Sequence, residues 1–138
     1  LGFLDRGASS VMVPRHQIVS IPRSATVADA EEVVHASGHS RVLVVGRDLD
    51  DVVGFVHAKD LLRVPLDGRQ QPVPLDAMRM TLTVDPDRGL GDVLLAMRRA
   101  RRHVAVVSDA ERRTVGMVTM EDVLEAIVGD IVDETDQE

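Results

Sequence analysis

Gly116, Thr119 and Asp122, spaced three apart in Gly116-Met117-Val118-Thr119-Met120-Glu121-Asp122, are the residues of this sequence best suited to chemistry. They fall where an apolar strand-like run gives way to a helix-like one. A glycine in a strand lets its backbone come close to a ligand. A helix starting at Thr119 offers free N–H groups and a favourable dipole to an anion. The Thr119 hydroxyl can donate to a phosphate oxygen or simply cap the helix. Asp122, one turn further in, carries a carboxylate able to accept both hydrogen bonds of a ribose diol. His103, at the start of the preceding apolar run, can give phosphate a donor or a positive charge. Thr followed three residues on by Asp is also an ordinary capping box.

The pattern gains weight because it occurs twice. Gly54-Phe55-Val56-His57-Ala58-Lys59-Asp60-Leu61-Leu62 returns 62 residues later as Gly116-Met117-Val118-Thr119-Met120-Glu121-Asp122-Val123-Leu124. At the same offset Val42-Leu43-Val44-Val45 returns as Val104-Ala105-Val106-Val107. A repeat of this length is a structural unit, and two such units suggest a paired binding module.

The elements that must position these residues can be read along the chain. Residues 1–19 form an opening segment in which Val11-Met12-Val13 is stopped by Pro14. Thr26 with Asp29 three residues on marks a helix start. Apolar spacing predicts a helix over 27–37, stopped by Gly38. Strands are expected at 42–45 and 52–56 around a polar turn at 47–51, then a short helix over 58–63. Pro65, Gly68, Pro72 and Pro74 mark 64–76 as a linker. In the second copy Gly89 and Asp92 replace Thr26 and Asp29 at an offset of 63, so one residue is lost before the strand. A helix is expected at 90–101, strands at 103–108 and 115–119, and a helix at 120–129. The acidic residues from Asp130 to Glu138 read as a solvated, mobile tail. The expected divisions are therefore 1–63, 64–76, 77–131 and 132–138.

Composition narrows the function. The 138 residues are 44% apolar, which suffices for a core, yet include two Phe and no Trp or Tyr. Aromatic platforms for single-stranded nucleic acid are absent. The net charge of −7 does not suit duplex DNA, so no nucleic-acid partner is expected. Without Cys there are no disulfides, thiolate metal sites or Cys nucleophiles. No apolar run approaches the roughly 20 residues needed to span a bilayer. The chain opens Leu1-Gly2-Phe3 with neither Met nor a basic leader, so we expect a piece of a longer protein without a signal peptide. No P-loop, His/Asp/Glu metal cluster or nucleophile beside a base is present. No catalytic or metal-ligating residues are assigned, and a nucleotide hydrolase is not expected.

The doubled pattern resembles a pair of CBS domains, a Bateman module. More narrowly, Val11-Met12-Val13-Pro14-Arg15, Gly38-His39-Ser40-Arg41, His103–Val107 and the block Gly116–Ile131 are similar to the CBS pair of the CorC/HlyC family. That family comprises membrane proteins linked to magnesium and cobalt efflux, related to the cyclin-M transporters. The resemblance covers about residues 8–132. It implies an α/β fold of two CBS repeats, each a small sheet with flanking helices, packed as a pseudo-twofold pair. It implies a longer parent with a membrane domain and a C-terminal CorC/HlyC domain, this module lying on the cytoplasmic side of an inner or plasma membrane. It also implies binding of an adenine nucleotide, ATP with Mg2+ held through the phosphates, or AMP or ADP. Carried over, Asp122 holds ribose, Thr119 and His103 face phosphate, and Met12 and Val13 touch the base, with Met120 beside them. Asp60 is the equivalent carboxylate of the first repeat. Arg41, taken as the counterpart of His103, reaches for polyphosphate.

Two departures from the family pattern stand out. His57 replaces the usual Ser/Thr in the first repeat, which leads us to expect one good site rather than two. Val13 replaces a hydroxyl residue found in some relatives. Arg98-Arg99-Ala100-Arg101-Arg102 reads as a solvated helix end whose cations suit the dipole, or as a phosphate clamp. A homodimer is expected through Met120, Val123, Leu124 and Ile127. A structural dimerisation module without ligand is the alternative. Because the chain and its tail are acidic, magnesium is expected to strengthen ATP binding by relieving repulsion.

Overall fold

Val42–Val45 and Val104–Val107 are continuous apolar runs, and each becomes an interior strand of a sheet. The computed structural model describes residues 6–136. Within it the chain forms two compact units. Gln17–Thr81 is the first-repeat unit; of the described residues, 6–16 and 82–136 form the second-repeat unit. The opening segment therefore packs with the repeat that is farther away in sequence.

In the first-repeat unit the elements are β2 (Ser20–Pro22), α1 (Val27–Ser37), β3 (Arg41–Val45), β4 (Val52–His57) and α2 (Ala58–Leu62). Helix α1 starts where the capping box places it. Thr26 Oγ1 accepts the Asp29 N–H at 3.0 Å, and Asp29 Oδ2 accepts the Thr26 N–H at 3.1 Å. It ends at Gly38, whose φ of 73° is a left-handed cap. The sheet order is β2-β3-β4, with β2 parallel and β4 antiparallel to β3. Val27, Ala30, Val42, Val44, Val56 and Leu61 close the core.

The stretch 64–76, expected to be a linker, belongs to this unit. Its Val73 joins the core beside Ala77. The N–H groups of Val27 and Ala28 donate to the carbonyls of Gln71 and Arg69, and Arg69 pairs with Glu31. Prolines stop regular structure here, but short 3-10 turns at Leu66–Gly68 and Leu75–Ala77 keep the segment packed.

In the second-repeat unit, β1 (Val13–Pro14) comes from the opening segment, followed by β5 (Leu82–Val84), α3 (Leu90–Ala100), β6 (Val104–Ser108), β7 (Thr114–Thr119) and α4 (Met120–Asp136). The sheet order is β1-β7-β6-β5. Leu90, Val93, Met97, Ala105, Val107, Val118 and Val123 form its core. Arg98 and Arg99 lie in the last turn of α3, where cations suit the dipole, and Arg101 caps it at a φ of 55°.

Three expectations need correcting. Helix α4 does not stop at 129: it runs on to Asp136. The first acidic residue is held, because Arg6 Nη1 donates to Asp130 Oδ1 at 2.7 Å, and residues 131–136 beyond it are helical and exposed. The proposed dimer stripe is mostly used inside the unit. Val123 is fully buried, and Met120 and Ile127 pack against the core. Finally, the missing residue of the second repeat lies after the first of the two strands. Leu43 pairs with Phe55 and Val106 with Met117, so β3 maps onto β6 at an offset of 63 (43 to 106) and β4 onto β7 at 62 (55 to 117). The counterpart of Arg41 is therefore Val104, and that of His103 is Ser40.

Candidate functional site

Strand β7 ends at Thr119 and α4 begins at the next residue. Thr119 Oγ1 accepts the Asp122 N–H at 3.2 Å and so caps the helix. Its own proton is left to donate outward. The Met120 N–H donates to the His103 carbonyl at 2.9 Å, which ties the helix start to the head of β6. The His103 side chain is exposed and Thr119 is half-buried.

Strand β1 runs antiparallel along β7, with Val13 opposite Met117 and Pro14 opposite Gly116. A Cβ on Gly116 would come within 2.7 Å of the Val13 carbonyl oxygen, so only glycine admits β1 at this distance. Arg15 Nη1 donates to the Thr114 carbonyl at 2.8 Å. Met12 and Met120 both rest on the core of this unit. Asp122 is half-buried, and among the described residues no ion pair or hydrogen bond engages its carboxylate. Six of the eight expected site residues thus share one unit, spread over the β1 edge and the β7–α4 corner. They offer an unengaged carboxylate, a hydroxyl, an imidazole and an apolar edge.

The first repeat builds the same corner with a different outcome. His57 caps α2 through Nδ1, which accepts the Lys59 N–H at 3.0 Å. Burial, then the charges of Arg41 and Arg79, push its pKa down against the pull of Asp60. The neutral form that can accept at Nδ1 is thereby favoured. The β1 role is taken by Arg79, which exchanges backbone hydrogen bonds with Phe55 at 2.9 and 2.8 Å. Phe55 is the counterpart of Met117, so Arg79 stands where Val13 stands. A Cβ on Gly54 would lie 2.6 Å from the Arg79 carbonyl oxygen and 3.0 Å from Met78.

Asp60 does not match Asp122 in availability. Arg79 Nε donates to its Oδ2 at 2.7 Å and Arg79 Nη2 to its Oδ1 at 2.9 Å, a bidentate fork. Arg63 lies 3.9 Å from the same carboxylate. The Arg79 hydrogen bonds hold the Asp60 carboxyl below the usual carboxylate range, against the opposing effect of burial. The same pair raises Arg79. Arg41 begins β3, opposite His57, and belongs to this unit.

A cavity of about 520 Å³ also lies in the first-repeat unit, lined by Asp60, Arg63, Asp67, Gln71, Asp76 and the prolines between them. It sits among the 64–77 turns rather than at the β7–α4 corner. No cluster of three or more His, Cys, Asp or Glu able to hold a metal occurs among the described residues. No helix among them is long and apolar enough to cross a membrane.

The model of the CBS domain matches residues 8–67 and 75–129. The chain belongs to the CBS domain family. The tandem pair is 40% identical over 135 residues to a possible hemolysin C of Rickettsia akari, covering 97% of this chain and 44% of that protein. It is 38% identical over 136 residues to a UPF0053 protein of Mycobacterium tuberculosis, covering 96% of this chain and 31% of that protein. This chain thus spans less than half the length of these relatives. Among solved structures it is similar to the CBS domain of a bacterial CNNM/CorC family Mg2+ transporter in complex with ATP. There the TM-score is 0.84 at 30% identity, over 92% of this chain and 90% of that one. It is also similar to a CBS-domain pair with bound AMP from Klebsiella pneumoniae, with a TM-score of 0.74 at 26% identity over 89% and 98%.

Sequence reasoning missed Met78 and Arg79 in this CBS pair. The one available signal was the Met that precedes both Val13 and Arg79. It was hidden because 77–81 was read as the start of the second repeat.

Proposed function

We propose that this CBS pair is a regulatory module that binds an adenine nucleotide at its second repeat, within a membrane protein for divalent cations such as magnesium or cobalt. The observation that carries the reading is the unengaged carboxylate of Asp122 at the β7–α4 corner. Asp122 takes the ribose diol, Thr119 and His103 the phosphates, and Met12, Val13 and Met120 the apolar side of the base. Support comes from the ATP in the CNNM/CorC structure and the AMP in the Klebsiella pneumoniae pair. Magnesium enters through the phosphates of ATP, with no protein ligand assigned. The membrane domain, the C-terminal CorC/HlyC domain and the cytoplasmic placement belong to the same proposal. So does a homodimer, for which α4 leaves Leu124, Val128, Ile131 and Val132 exposed; light scattering checks that part.

Calorimetry tests the site. ATP should bind more tightly with magnesium than with EDTA, and AMP should be indifferent to the metal. Asp122→Ala should weaken nucleotide binding at least about tenfold, since a hydrogen bond to a charged acceptor contributes about 1.5–3 kcal/mol. Unchanged affinity in a folded Asp122→Ala chain rejects the assignment.

A further inference from the structure

We propose that Arg79 is the residue that limits this chain to one nucleotide site, by occupying the first-repeat carboxylate that would otherwise hold a second ribose. The inference rests on the nucleotide reading of the second repeat.

The two corners share one backbone plan, and besides the cap, His57 or Thr119, they differ at the edge side chain. Gly54 and Gly116 each admit an edge segment at backbone contact distance. Each edge segment carries a Met followed by the residue that pairs opposite Phe55 or Met117. Each corner has a helix-capping side chain, His57 or Thr119, and a carboxylate three residues on. In the second repeat the edge residue is Val13, which has nothing to offer a carboxylate. In the first it is Arg79, whose fork takes both oxygens of Asp60. A ribose diol is neutral. To reach Asp60 it must replace two hydrogen bonds donated by a cation with two donated by a neutral group, so the ion pair wins. The fork also closes over a residue that is itself only 8% exposed. Arg79 thereby turns a binding carboxylate into a structural one.

The test uses AMP, for which no magnesium dependence is expected, titrated calorimetrically into the whole chain. Asp122→Ala weakens the second-repeat site. In that background Arg79→Val, which copies Val13, should restore saturable binding of one AMP per chain. The affinity should be at least about tenfold above that of Asp122→Ala alone, the worth of one hydrogen bond to a charged group. Adding Asp60→Ala should abolish the gain. A folded Arg79→Val/Asp122→Ala chain that binds no better than Asp122→Ala overturns the proposal, as does a gain that survives Asp60→Ala. Should the Val variant fail to fold, Arg79→Gln removes the charge while keeping one donor for Asp60, and the same outcomes decide. Absence of AMP binding to the unmodified chain rejects the second-repeat site. The gain in the double variant is still read independently.

Discussion

Asp60→Asn separates the electrostatic work of the Arg79 fork from its shape. The side chains are isosteric, and one of the two acceptors survives. What is lost is the charge and one of two hydrogen bonds of 2.7 and 2.9 Å. The Arg79 side chain is 47% exposed, so water screens its half of the pair; that of Asp60 is 10% exposed and keeps most of its interaction. Breaking a fully buried pair costs about 3–5 kcal/mol and an exposed one about 0–1. This half-covered pair belongs between, at about 1–3 kcal/mol. For a chain of this size that is a fall in Tm of roughly 3–10 °C. The pH dependence is the sharper readout. Asp60 is depressed in the folded state, so its contribution is fully present above the ordinary carboxylate range. It is lost as pH falls through the depressed folded value. Thermal unfolding followed by circular dichroism should show a wide gap between the native chain and Asp60→Asn at pH 7. The gap should close as the pH is lowered below the ordinary carboxylate range. Asp122→Asn, with no ion pair to lose, should change Tm little at any of these pH values. A gap that is absent, or constant across this range, would refute the reasoning.

His57→Ser keeps a capping side chain but removes a titrating one. The folded state lowers the His57 pKa, so the unfolded chain binds the proton more readily. Native stability should therefore decline as pH drops below about 6.5, and the serine variant should lose that decline; parallel Tm profiles from pH 7 to 5 would count against a neutral His57 cap. Gly116→Ala places a methyl 2.7 Å from the Val13 carbonyl oxygen, so we expect a cost of about 1–3 kcal/mol together with weaker ATP binding. Gly129→Ala meets nothing within 4 Å on the helix surface and should be neutral or stabilising by up to about 1 kcal/mol; calorimetric unfolding that ranks the two the other way would contradict the edge-strand packing.

Local signals were legible and non-local ones were not. Helix α1 was readable to the residue because Thr26, Asp29 and Gly38 are start and stop signals that act within a few residues. The strands were readable as apolar runs, but their alignment between repeats was not. Val42-Leu43-Val44-Val45 slides by one along Val104-Ala105-Val106-Val107-Ser108 with almost no change in side-chain type. Only hydrogen-bond register distinguishes the two alignments. The extent of α4 was misread because an acidic, solvent-exposed stretch carries little apolar spacing to mark it as helix. The Arg6–Asp130 contact that holds the helix just before that end spans 124 residues. The turns at 64–77 were misread because proline frequency reports the loss of regular structure, not the loss of packing; Val73 and Ala77 are buried all the same.

The candidate site carries the same lesson in a stricter form. Gly-x-x-cap-x-x-Asp is visible in both repeats and folds into the same corner in both. Yet it leaves one carboxylate engaged and the other unengaged. His57, the departure that sequence reading blamed for a weaker first site, performs the cap that Thr119 performs. The difference arises from residues outside the motif. Val13 lies more than 100 positions before Asp122 in the chain, and Arg79 lies 19 after Asp60. Each reaches its corner only because a short edge segment pairs with the strand that carries the glycine. The motif therefore specifies the geometry of a carboxylate at a helix start. The edge residue opposite the strand determines whether that carboxylate meets a ligand or an arginine.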